Sequence, residues 1–345
     1  MTLDINRRNL FRMAGAAGIA GLGGSLIGAA PASATQPGGT ATAAPHGSTA
    51  SAAVPGFPTF TYLGEPLDMA SLRYNPNNEM IFPSIRGVAG RIVNPRARWY
   101  LYYAPHDNPG GICLAYGDSL SGKFTEYPGN PIISRSWSPH YSVSHVSSPH
   151  AYYNPADRHI YLYFHGENHT TRVARSADGI NFQYVGTVVT TAQLPGDVSE
   201  ASYARVFDHP TKPGMYIMLL MGNQAGSRKI FIGWSHSLTG GWKVKPDPLI
   251  SPRAGEGTDL SGAHYWSRNG GGYVVHHSGS GNIHVTDVGV GFDRENHLGV
   301  LHAPRSGAPD DGRVAAPSFA EENGRLYMFY EAGRRSNTRI AVARA

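Results

Sequence analysis

The sequence predicts an all-β chain whose mature part is a five-bladed β-propeller closed by an N-terminal strand. Five aromatic-rich segments recur along the chain, a strand missing from the last unit stands ahead of the first, and no stretch keeps a helical period.

The recurring segments are Trp99–Tyr103, His159–Phe164, Met215–Leu219, Gly272–His276 and Leu326–Tyr330. Their starts lie roughly 50–60 residues apart, the size of one four-stranded blade. A polar or Gly-containing turn follows each, then a further strand: Ile112–Tyr116, Arg172–Arg175, Lys229–Gly233, Ile283–Thr286 and Thr338–Val342. The early units add another strand, at Phe124–Tyr127 and Phe182–Gly186, which the fifth unit lacks. Phe60–Leu67 supplies it from the front, and closing the ring removes the exposed sheet edge.

Composition agrees. Aromatics reach 10% with 19 Tyr, while charged residues are only 15% of 345. The net charge of +5 is scattered, so the clustered basic face of a nucleic-acid binder is absent, whereas anionic glycans are compatible. Cys113 is the single cysteine; within Ile112–Ala115 it reads as a buried strand thiol.

The N-terminus reads as an export signal. Arg7 and Arg8 precede an uncharged Ala/Gly/Leu stretch, and Ala32-Ser33-Ala34 offers a cleavage site. The Arg pair before a weakly apolar core is similar to a twin-arginine signal. The expected organisation is a signal at 1–34, a flexible linker at 35–55 and one propeller at 56–345. A secreted protein with no membrane segment after cleavage follows.

In a blade the innermost strand comes first and the second runs back, so strand-one starts and strand-two ends share one face. That face collects Glu79, His145, Ser148, His150, Glu200, Asp259 and His264 from the starts. The ends contribute His106, Asp107, His165, Glu167, His169, Asn223, His276, His277, Glu331 and Arg334. Histidines and carboxylates dominate, the groups that move protons near neutral pH. His165 and His169 sit at a strand end, not on a helix, so zinc-protease geometry is absent. No catalytic metal or cofactor is expected, and a structural ion stays open.

Several phrases resemble the five-bladed glycoside hydrolases of families 43 and 117. Trp99–Tyr103 followed by Tyr116–Gly122 is similar to their first blade, Ser148-Pro149-His150 to their second-blade Asp-Pro-His, and Ser199-Glu200-Ala201 to the third-blade motif carrying the general acid. The resemblance implies cleavage of a poly- or oligosaccharide with Glu200 as proton donor. It breaks at Phe82-Pro83-Ser84, where the family has its basic Asp, and at Ser148. Inverting hydrolysis needs a second carboxylate. Asp107, Glu167, Asp259 or Glu79 is expected to supply it, or His165 or His150 takes that role.

A second resemblance lies in His145 and the run Phe164–Ser176, similar to propeller polysaccharide lyases acting on uronate glycans. Such lyases pair His and Tyr with a carboxylate-neutralising Arg, which points to Tyr203 and Arg205. His145, His106, Asp259, His264 and Arg334 complete the expected substrate contacts. Hydrolysis ranks first, elimination second and non-catalytic glycan binding third.

Overall fold

Strands buried on both faces read as continuous apolar runs, and this explains the recurring aromatic segments. In Trp99–Ala104 the rings of Tyr100 and Tyr102 point toward the next blade, while Leu101 and Tyr103 point toward the last. Each such segment is the second strand of its blade. The structure, a computed structural model, describes residues 54–345. The signal and nearly all of the linker lie outside these residues.

Five four-stranded antiparallel sheets follow one another. Their innermost strands are Ile81–Gly87, Val146–Asn154, Ser202–Asp208, Leu260–Arg268 and Val314–Glu322. In blades one to four the fourth strand comes next in the chain. In blade five it is Thr61–Gly64, which pairs antiparallel with Arg339–Arg344 in the register Thr61–Arg344, Tyr62–Ala343 and Gly64–Val342. The N-terminal strand therefore closes the ring.

Five apolar clusters fill the five spaces between neighbouring blades. Cys113 lies in the cluster between blades five and one, where burial pushes its thiol well above the usual range.

One irregularity repeats in every blade. The pairing of innermost and second strand slips once, at 81/84, 147/150, 202/205, 261/264 and 315/318. Within each slip one residue takes a left-handed backbone: Phe82 (φ 55°), Ser148 (49°), Tyr203 (54°), Gly262 (60°) and Ala316 (44°). Such a bulge re-aims a side chain, and for Phe or Tyr the conformation is rare and strained. A Cβ on Gly262 would sit 2.9 Å from His277 Nδ1 and from Ala316 Cα, so blade four keeps glycine there.

Candidate functional site

The bulges of blades one and three face each other. Tyr203 stacks on Phe82 with ring centroids 4.6 Å apart, and His165 meets Tyr203 edge-on at 5.1 Å. Around these rings lies a small cavity of about 40 Å³. Its walls are Glu79, His106, Arg228, Ser261, His277, Arg313, Glu331 and Arg335. Blades one, three, four and five thus contribute directly, and blade two stands behind Tyr203 through His165.

The three carboxylates here are already engaged. Arg228 donates Nε and Nη2 to Glu200, both at 2.9 Å, and Asn168 Nδ2 donates at 3.1 Å. Glu331 accepts from the Phe82 amide at 2.9 Å and from Arg313 Nη2 at 2.8 Å. Glu79 accepts from the Ser336 amide at 2.9 Å and lies 3.1 Å from His106 Nδ1. Burial alone would raise the Glu79 carboxyl, but hydrogen bonds from His106, Thr338 and the Ser336 amide outweigh it and hold it at about 2. None of the three is placed as a protonated donor.

The other groups have defined proton states. Burial raises the Tyr203 phenol, against the lowering charge of Arg228. Burial, helped by the Arg313 charge, keeps His277 well below the usual imidazole range, hence neutral. Its Nδ1 accepts the Ala316 amide at 3.2 Å, so Nε2 carries the proton. His106 is the reverse: Nδ1–H points to Glu79, and the Nε2 lone pair accepts Arg335 Nη2 at 2.6 Å. Burial likewise keeps His165 neutral, its Nδ1 2.5 Å from Ser148 Oγ.

The sequence-derived candidates divide accordingly. Tyr203 and His106 line the cavity. Glu200 supports it by holding Arg228, and Asp259 Oδ1 accepts the Arg228 amide at 3.2 Å. His145 lies behind His165, with ring centroids 5.5 Å apart. Asp107 reaches His106 Nδ1 at 3.3 Å from a side chain 79% exposed.

The remaining candidates are not among the cavity walls. His150, Arg205 and His264 lie two residues past their bulges on the innermost strands, and the His150 ring is tied to Val206 O at 2.8 Å. Glu167 faces Arg172 Nη2 at 3.5 Å. Arg334 lines a separate surface cavity with Pro309 and Arg339.

Arg228, Arg313, Arg335 and Ser261 escaped the sequence reading. Arg228 stands at the start of a third strand, which the strand-one and strand-two rule does not sample; Arg313 directly precedes an innermost strand, as Asp259 and His145 do, and was passed over among such positions. Arg335 lies four residues beyond Glu331, past the end of its strand. A usable signal did exist: Phe82-Pro-Ser84, Ser148-Pro-His150, Tyr203-Ala-Arg205, Gly262-Ala-His264 and Ala316-Pro-Ser318 are one repeated triplet. It aligns Tyr203, not Glu200, with the positions where the hydrolases carry Asp. Among the described residues no group of three or more His, Cys, Asp or Glu is arranged to hold a metal ion.

Solved structures share this architecture. A thermostable family-43 glycoside hydrolase superposes with TM-score 0.58 at 12% identity, over 77% of this chain and 88% of its own. An α-L-arabinofuranosidase from Podospora anserina, in complex with cellotriose, gives TM-score 0.59 at 9% identity over 83% and 96%. An endo-1,4-β-xylanase from Bacteroides thetaiotaomicron VPI-5482 gives 0.55 at 11% over 82% and 92%. The likeness establishes the five-bladed fold. No protein-family model matches the chain, and no curated protein matches it in sequence.

Proposed function

We propose that this chain is a secreted carbohydrate-active enzyme that cleaves a uronate-bearing glycan by β-elimination. The observation that carries the reading is the pairing of three guanidinium groups with Tyr203 and His106 around a cavity whose carboxylates are all engaged.

Elimination needs the uronate charge neutralised, because the C5 proton is acidic only when charge can build on the carboxylate. Arg335 stands where it can receive it; Arg228 is fixed by Glu200 and Arg313 by Glu331. His106 Nε2 then takes the C5 proton, oriented by Glu79 as a carboxylate orients a catalytic imidazole. The C5–H electron pair forms the C4=C5 double bond as the C4–O4 bond breaks. Tyr203 gives its phenolic proton to the departing O4, and its raised pKa suits an acid rather than a base. Arg335 must leave His106 for this to happen, and the uronate is the group that draws it away.

A second reading, hydrolysis of a neutral glycoside, has one specific support: the solved structures sharing the fold include glycoside hydrolases. It requires Glu200 to release Arg228 and take up a proton. The test is a panel of uronate-containing and neutral glycans followed by ultraviolet absorbance and by reducing ends. Unsaturated, absorbing products support elimination, and reducing ends without absorbance overturn it in favour of hydrolysis.

Extracellular action rests on the twin-arginine-type leader. Among the described residues no helix is long and apolar enough to cross a membrane.

A further inference from the structure

Below the mouth, two residues past each bulge, lies a second layer: Ser84, His150, Arg205, His264 and Ser318. Part of it stitches blades together. Ser84 Oγ accepts the Ala151 amide at 3.0 Å and Ser318 Oγ the Ile85 amide at 3.2 Å. Arg205 donates Nη1 to Pro149 O at 3.0 Å, and Arg86, from the same strand as Ser84, donates Nε to Ala151 O.

The charges in this layer do not balance. Arg205 is 2% exposed, and its Nη2 is buried without a partner. Neither Arg205 nor Arg86 belongs to any ion pair among the described residues, whereas six other arginines do. Glu331 acts on Arg205 at a distance, but its oxygens are held by Arg313 and the Phe82 amide. Desolvation lowers both guanidinium groups to about 10. His150 and His264 stay neutral, by burial first and then by the two arginines, and so add no counter-charge. An uncompensated buried cation is strongly unfavourable.

The free donors here are Arg205 Nη2 and the two serine hydroxyls, beside the lone pair that each neutral imidazole of His150 and His264 keeps. Both serine oxygens already accept an amide, which leaves their O–H protons to give. His264 makes no hydrogen bond through its ring among the described residues. Arg86 and His264 retain some exposure although they sit on innermost strands. We propose that the propeller axis holds a halide anion, chloride, between Arg205 Nη2 and the Arg86 guanidinium, beside His264. The anion supplies the missing negative charge and bridges blades one and three, independently of any glycan.

The test compares sodium chloride with sodium isethionate at equal ionic strength, on the full protein without glycan. Chloride should raise Tm by several degrees along a saturating curve, bromide should substitute, and Arg205→Met should abolish the response. Equal Tm in the two salts, or an undiminished response in Arg205→Met, overturns the proposal. If that variant does not fold, crystals of the unaltered protein grown in bromide decide. An anomalous peak between residues 86 and 205 supports the site, and its absence removes it.

Discussion

Arg228 grips both carboxylate oxygens of Glu200, at 2.9 Å each, from the third strand of the same blade. A carboxylate so held positions a cation and is not free to donate a proton. Glu200→Gln is therefore expected to change turnover less than tenfold while destabilising the fold by about 1–3 kcal/mol, the cost of half-emptying a charged hydrogen-bond pair. Rates and urea midpoints check both halves. A loss of ~10²–10⁴ with unchanged stability would instead mark Glu200 as an acid–base group.

Tyr203→Phe keeps the ring against Phe82 and removes only the hydroxyl. Turnover should fall by ~10²–10⁴, the usual worth of one acid–base group, with Tm nearly unchanged. An active Phe variant would exclude Tyr203 as the proton donor.

Acid stability should depend on Glu79, whose pKa falls from an ordinary 4.5 to about 2 in the folded protein. Between those values the unfolded chain binds more protons than the folded one, so stability rises with pH. The contribution is complete above about 4.5 and is lost as pH drops toward 2. It amounts to about 3 kcal/mol at most. Glu79→Gln should flatten this limb in urea titrations at pH 5 and pH 3. Glu256, also held at about 2, should act in the same window through its separate contact with His297.

Ring closure predicts that removing residues 56–68 broadens or abolishes the thermal transition. The deletion strips Thr61–Gly64 from Arg339–Arg344 and takes Phe60 out of the core between blades four and five. A truncated chain melting like its parent would mean that the other sheets suffice.

Export should stop when Arg7 and Arg8 are both replaced by Lys, because the arginine pair is the recognised element. Immunoblots of culture medium read this directly. Continued secretion would point to the general pathway.

Blade number, strand order and closure by Phe60–Leu67 were legible in the sequence because each rests on local pattern. A second strand packed on both faces must be apolar throughout, and a missing fourth strand must be supplied from elsewhere. His106 was selected by the strand-end rule and Tyr203 by the likeness to the lyases, while the same rule also selected His150, His264 and Arg334, which lie outside the cavity walls. Which of these residues are free, and which are spent, was not legible. Glu200 looks like an acid until Arg228 is seen holding it, and Arg205 looks like a substrate ligand until the bulge places it one layer deeper. Arg313 and Arg335 each lie more than 200 positions from Glu79 yet share one cavity with it, since only the closed ring brings blade five against blade one. The aim of Phe82 and Tyr203 is likewise set by a slip in strand pairing, a property of two strands together that neither carries alone.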